Sequence, residues 1–342
     1  MNSIAIPACE SPVQEGLFAR ARNAFWLAPM AGITDICFRQ LMDEMNAGVL
    51  ISELVSAKGL FYNSEKTRKM MRVHPNEKSI TGIQLFGESA DDIIRASELV
   101  EASGGDFVDI NLGCPVKKVV KKGCGAALLR DPAYLEKFLT TIKKGIRIPL
   151  TVKMRTGWNH DELTIHECVQ AAYNSGCEWV AIHGRTRAQG YEGEADWNLI
   201  AEVKAQAQIP IIGNGDIRNA EQARRRLAES KVDAVMIGRG ALRNPGIFNE
   251  CIGLKTETSC LNIIRRYQKS LKEYYDTRFA LIMLRKFSAW LAFGNPGAAK
   301  FRKSMFECLT SEELMEKVEV FFQNENPLPF NDNEKFMMGG HG

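Results

Sequence analysis

Reactive side chains and glycines cluster where short apolar runs of the chain end. The run "SITGIQLFG" (79–87) carries Gln84, and "FVDINLG" (107–113) ends in Asn111 and Gly113, with Cys114 next. "IPLTVKMR" (148–155) ends in Lys153 and Arg155, and "WVAIHGR" (179–185) in His183 and Arg185. "IPIIGNGD" (209–216) closes on Asn214, Gly215 and Asp216, and "AVMIGRGAL" (234–242) contains Gly238 and Arg239. Glycines let backbone N–H groups approach an anion, and a following helix start favours negative charge. Two such ends, with Arg239 as a clamp, point to a phosphorylated ligand.

Lysine, histidine and an amide suit a ring whose pyrimidine edge gains negative charge on reduction, as in flavin mononucleotide (FMN). The bare backbone of Pro29, Met30 and Ala31, after the first run "FWLAPM" (25–30), would let a flat ring lie close. A phosphosugar is the competing ligand and would use Asp109 and Asp216 as acid and base.

These groups need a scaffold that brings strand ends together. With "GVLISEL" (48–54) there are eight β-rich runs between residues 25 and 242, alternating with amphipathic helical segments. That pattern predicts a (β/α)8 barrel over residues 20–250, with the chemistry at the C-terminal ends of its strands. The Gly-x-Gly-x-x-Gly opening of a doubly wound sheet is missing after the first run.

From residue 255 to 325 no β-run recurs. "NIIRRYQKSLKEYYDTRFALIMLRKFSAWLAF" and "AAKFRKSMFECLTSEELMEKVEVFF", separated by "GNPG", predict a C-terminal helical domain, and 326–342 a disordered tail. The net charge of +3 hides an asymmetry: 255–306 hold eleven Lys or Arg against three Asp or Glu, and 307–336 hold eight acidic against two basic residues. Nine cysteines without a Cys-x-x-Cys pair suggest reduced thiols and a cytoplasmic location. No signal peptide, membrane span or metal-ligand pattern is expected.

In order along the chain, "APMAGITDICFR", "IQLFG", "DINLGCPVKKVVKKGCGAALL", "VKMRTGW", "HGRTRAQGYEG", "IGNGDI" and "IGRGAL" closely resemble the tRNA-dihydrouridine synthases, above all their bacterial B-type branch. The resemblance spans roughly residues 20–325. It implies an FMN enzyme that uses NADPH to reduce the C5–C6 double bond of particular uridines in tRNA. It makes Cys114 the acid that protonates C5 while hydride passes from flavin N5 to C6. Asn111 would orient the uracil, with Arg155 by the substrate. Pro29, Met30, Ala31, Gln84, Lys153, Asn214, Gly215, Asp216, Gly238 and Arg239 would bind flavin, and His183 would lie near it.

A thiol, with an ordinary pKa of about 8.5, is protonated at neutral pH and can give a proton without a helping base. Cys124 stands where a small residue is expected and reads as structural. Lys117 and Lys118, with Lys121 and Lys122, would meet RNA phosphates beside the site. "LRKFSAWLAF" (284–293) departs from the family's pattern: Phe287 stands where histidine is common and Leu291 where tyrosine is. The competing functions are a small-molecule FMN reductase of the dihydropyrimidine or dihydroorotate type, and a tRNA-binding protein that has lost catalysis.

Overall fold

Eight short parallel strands form a ring in this computed structural model, which describes residues 16–61, 65–115, 120, 123–255 and 258–323. They are β1 (Phe25–Leu27), β2 (Val49–Ile51), β3 (Ile80–Phe86), β4 (Phe107–Leu112), β5 (Leu150–Arg155), β6 (Val180–His183), β7 (Ile211–Asn214) and β8 (Ala234–Ile237). Each pairs with its sequence neighbour from β2 to β8, and β8 pairs back onto β1. At the remaining seam the Gly48 N–H donates to the Phe25 carbonyl at 2.7 Å, so the barrel is nearly closed. A two-residue strand, Val55–Ser56, adds to the end of β3. All eight strands lie inside the runs expected from the sequence.

Between the strands run α1 (Ile36–Glu44), α2 (Ala57–Phe61), α3 (Glu65–Met70), α4 (Ala90–Ala102), α5 (Pro132–Gly145), α6 (Ile165–Asn174), α7 (Trp197–Gln206) and α8 (Ala220–Ser230). Short polar side chains start most of the longer ones. Asp35, Ser89, Asp131, Asp196 and Asn219 each accept a backbone N–H of the first turn.

Side chains alternate across a strand, and this period of two builds the barrel interior. Trp179 meets Trp26 and Phe107 edge to face, each with ring centroids 4.9 Å apart, and the three plug one end of the barrel. Gly82 is required beside this plug, because a Cβ there would lie 2.1 Å from the Phe107 ring. Two residues beyond Phe107 comes Asp109, and two beyond that Asn111. The apolar plug therefore gives way to polar layers toward the strand ends.

After α9 (Arg239–Arg243) and α10 (Ile247–Cys251) the chain forms only helices among the described residues: α11 (Cys260–Tyr274), α12 (Thr277–Ala292), α13 (Ala298–Met305) and α14 (Ser311–Phe322). The sequence suggested two long helical segments here, and each is broken in two. Asp276 caps α12 by accepting the Phe279 N–H, and Thr310 caps α14 by accepting that of Glu313. Both caps are short polar residues whose side chains compete for backbone hydrogen bonds inside an otherwise helical pattern. The tail 326–342 lies outside the described residues.

Phe287 and Leu291, the two departures from the family pattern, are fully buried. Phe287 packs on Phe38 of α1 (centroids 6.1 Å) and Tyr267 of α11 (4.5 Å), which joins the helical region to the barrel. Phe287→Ala should cost about 3–5 kcal/mol by opening a cavity at this junction. Urea denaturation followed by circular dichroism would measure the loss, and a change under 1 kcal/mol would refute the packing role.

The charge asymmetry partly folds onto itself. Arg265 of α11 pairs with Glu319 of α14 at 2.7 Å, and Lys272 with Glu312 at 2.8 Å. Arg285 is likewise engaged, donating to the carbonyls of Met305 and Cys308.

Candidate active site

Strand register decides which polar side chains become neighbours. Gln84 stands opposite Asp109 and Asp109 opposite Thr151; one layer further out Asn111 stands opposite Lys153, Arg155 opposite His183, and His183 opposite Asn214. In the deeper layer Asp109 is fully buried and accepts from Gln84 Nε2 at 2.7 Å and from Thr151 Oγ1 at 2.7 Å. Burial raises the Asp109 carboxyl to about 6 against these hydrogen bonds and the Lys153 charge.

Gln84 passes the polarity outward. Its Oε1 accepts from Asn111 Nδ2 at 2.8 Å, and Asn111 Oδ1 accepts the backbone N–H groups of Gly113 (3.1 Å) and Cys114 (2.8 Å). Asn111 thus shapes the turn that presents Cys114 and keeps one amide hydrogen for a ligand. Arg155 clamps the same turn, with Nε on the Gly113 carbonyl at 2.9 Å and Nη1 on the carbonyls of Thr186 (2.9 Å) and Gly190 (2.8 Å). Among the described residues its Nη2 has no partner. Cys114 is half-exposed, whereas the other seven described cysteines are buried, Cys124 included.

Lys153 donates to Asn214 Oδ1 at 3.0 Å, and Asn214 Nδ2 donates to the Met236 carbonyl at 2.7 Å. Desolvation, then the Arg155 charge, lowers the Lys153 ammonium to about 8 despite Asp109. His183 is pushed well below its ordinary value by burial and then by Arg155, Lys153, Arg185 and Arg239. Gly215 has φ +133° and no room for a side chain: a Cβ would lie 2.4 Å from that of Ala195. Asp216 accepts from both terminal nitrogens of Arg185, at 2.9 and 2.8 Å, and from the Ala195 N–H at 2.8 Å. Burial would raise this carboxyl, but the Arg185 hydrogen bonds, the Ala195 N–H and the charges of Arg185 and Arg239 hold it low.

The loop after β1 turns sharply at Met30, whose carbonyl accepts from Ile33 and Thr34. It leaves Met30 half-buried and Ala31 exposed, with Met30 Sδ 3.6 Å from where a Gly238 Cβ would stand. Arg239 reaches Asp216 at 3.5 Å. The rim residues expected from the sequence therefore converge. Lys117 and Lys118, with Lys121 and Lys122, lie outside the described residues.

Two contributors were not singled out by their sequence pattern. Arg185 was visible only as a strand-end cation, and its role emerges from its acceptors. Tyr191, 56% exposed, sits in the loop after β6 with its ring centroid 6.2 Å from that of His183. Arg155 and Arg239 reach over that ring at 5.7 and 4.8 Å from its centroid. Its signal was slight: an aromatic residue between Gly190 and Gly193, both in the left-handed region.

The donor set decides which ligand fits. The carboxylates of Asp109 and Asp216 are spent on protein donors, while Asn111, Lys153 and Arg155 keep N–H groups at the mouth. Such a site receives carbonyl and anionic oxygens, as on the pyrimidine edge and phosphate of FMN. Acid–base work on a phosphosugar would need a reachable carboxylate, and Asp109 is sealed within the barrel. No group of three or more His, Cys, Asp or Glu among the described residues could hold a metal ion. No helix among them is long and apolar enough to cross a membrane.

A nearly closed ring of eight parallel strands alternating with helices is a (β/α)8 barrel. The old yellow enzyme homologue from Zymomonas mobilis shares the fold, with a TM-score of 0.50 over 75% of this chain and 93% of that one at 14% identity. The family model described as dihydrouridine synthase matches residues 26–326, and the chain belongs to that family. It is 36% identical to tRNA-dihydrouridine synthase B of Pasteurella multocida over 88% of this chain and 93% of that protein. With tRNA-dihydrouridine synthase B of Proteus vulgaris it shares 35% identity, covering 89% and 96%.

Proposed function

We propose that this enzyme reduces the C5–C6 double bond of specific uridines in tRNA to 5,6-dihydrouridine, with FMN in the barrel mouth and NADPH as reductant. One observation carries the reading: the one half-exposed cysteine among those described stands on a clamped turn at the edge of a donor-lined barrel. When bound, the flavin supplies the hydride that uracil takes up at C6.

Every other part of the reaction falls to the chain. Gln84, Lys153 and Asn214 hold the ring edge, with Pro29, Met30 and Ala31 beside it and His183 as a further contact. Gly215, Asp216, Gly238 and Arg239 form the phosphate side, where Asp216 acts by orienting Arg185 and Arg239. The remaining Asn111 N–H and the Arg155 Nη2 meet carbonyl oxygens of the uracil. The exposed Tyr191 ring offers a face to a base taken out of its stack. Cys114 delivers its thiol proton to C5.

The helical region fits an RNA substrate. Lys269, Lys286, Lys300 and Lys303 are exposed there and can meet phosphates. A tRNA substrate also fits a cytoplasmic location. The purified protein should be yellow and should form dihydrouridine from NADPH in tRNA taken from a strain lacking this gene. Colourless protein, or turnover of free uracil or orotate without RNA, would overturn the proposal in favour of its competitors.

A further inference from the structure

Arg185 is 2% exposed, and its guanidinium has five N–H donors and no acceptor. All five end on an acceptor in this structure. Nε donates to the Glu192 carbonyl at 3.2 Å. Nη1 donates to Asp216 Oδ1 at 2.9 Å, and Nη2 to Asp216 Oδ2 at 2.8 Å and to the Gly193 carbonyl at 2.6 Å. The fifth acceptor, 3.3 Å from Nη1, is His183 Nε2. We propose that Arg185, held by Asp216, is a positioning residue that fixes His183 as the neutral imidazole protonated at Nδ1.

The argument is one of polarity. A guanidinium can only donate, so a proton on Nε2 would set one N–H against another in a buried place and leave both unsatisfied. The same holds for the imidazolium, which carries protons on both nitrogens. Charge acts in the same direction. Lys153 and Arg155 from β5, Arg185 beside β6 and Arg239 from α9 all oppose a positive ring. The carboxylate on this side, Asp216, already accepts from Arg185 and the Ala195 N–H. Tyr191, in the loop after β6, adds an aromatic ring 6.2 Å away.

Gly215 lies beside the same edge of the ring: a Cβ there would stand 3.2 Å from His183 Cδ2 and 3.6 Å from Nε2. His183 therefore offers its free hydrogen from Nδ1, as a neutral donor. The positive charge around it comes from Arg155, Lys153, Arg185 and Arg239. That a flavin receives the Nδ1 hydrogen rests on the function proposed above; the tautomer itself does not. Arg185 has a second effect through the same fork. Glu192 and Gly193 follow Tyr191 directly, so the guanidinium that orients His183 also pins the loop carrying Tyr191.

The test is the 15N spectrum of the histidine rings in 15N-histidine-labelled protein as purified, with whatever flavin it carries. The chain has five histidines, and loss of one ring's signals in His183→Asn assigns the resonance. Expected in the unmodified protein is the Nδ1–H form with no titration from about pH 6 to 8. Arg185→Lys keeps a charge but offers three donors in place of a five-donor fork. In it the ratio of Nδ1–H to Nε2–H should fall by about tenfold or more.

An Nε2–H ring or an imidazolium at pH 7 in the unmodified protein overturns the proposal. So does an unchanged ratio in a folded Arg185→Lys variant. Should that variant fail to fold, Asp216→Asn loosens the same guanidinium and is read in the same way. The visible absorption of each sample reports flavin separately, so a colourless protein with an Nδ1–H His183 would sink the flavin reading and leave this one standing.

Discussion

Cys114→Ala should lower the rate of uridine reduction by about 10²–10⁴-fold, the usual contribution of a positioned general acid, while flavin binding and its reduction by NADPH persist. The selectivity follows from how the turn is held. Asn111 Oδ1 accepts the Gly113 and Cys114 backbone N–H groups, Arg155 donates to the Gly113 carbonyl, and the Ala126 N–H reaches the Cys114 carbonyl at 3.5 Å. None of these bonds uses the sulfur, so alanine keeps these contacts of the turn while removing the proton donor. Stopped-flow bleaching of the flavin by NADPH, beside dihydrouridine formation in tRNA, separates the two half-reactions. Full tRNA activity in the variant would end the acid role. Equal loss in both half-reactions would show that Cys114 matters for the fold of the mouth instead.

Lys153→Met should weaken flavin binding by about ten- to a hundredfold, the value of one or two charge-assisted hydrogen bonds. Methionine matches the stem's length and lacks the charge, and Asn214 Oδ1 loses the donor it now has at 3.0 Å. The pH dependence carries more information than the size of the loss. The ammonium is held near 8, below the ordinary lysine value, because burial and Arg155 disfavour its charge. Flavin uptake by apoprotein should therefore be strong below pH 8 and weaken as pH rises through that value and the charge is lost. Lys153→Met should bind weakly at every pH, with that slope gone. A titration of apoprotein with FMN by fluorescence quenching measures both, and an unchanged slope in the variant would remove Lys153 from the ring edge.

Much of this site was legible because (β/α)8 grammar is local. Eight apolar runs of strand length, interrupted by amphipathic helices, specify the strands, and any reactive group at a run's C-terminal end is thereby placed at the mouth. Asn111, Cys114, Lys153, His183 and Asn214 were expected at the mouth in this way. The breaks at Asp276 and Thr310 were not, although both residues are ordinary caps. Apolar periodicity continues through them, and a cap is recognised only when its side chain has chosen a backbone N–H over solvent. Phe287 and Leu291 stood out only as departures from the family pattern; both are buried, and Phe287 packs against α1 and α11.

The sequence by itself determined the barrel, its helical extension, the family and the list of groups at the mouth, because each depends on periodicity and residue type along the chain. Only the tertiary structure decided what each group is free to do. Asp109 and Asp216, which sequence offered as acids or bases, are consumed by Gln84, Thr151 and Arg185. Asn111, expected to touch substrate, is largely committed to the turn that bears Cys114. Arg185 and Tyr191 gain their importance from neighbours contributed by other strands and loops. The physical reason is that a hydrogen-bonding group has few bonds to give. Which of them are already spent is set by register between strand positions 25 to 42 residues apart, and no local pattern records it.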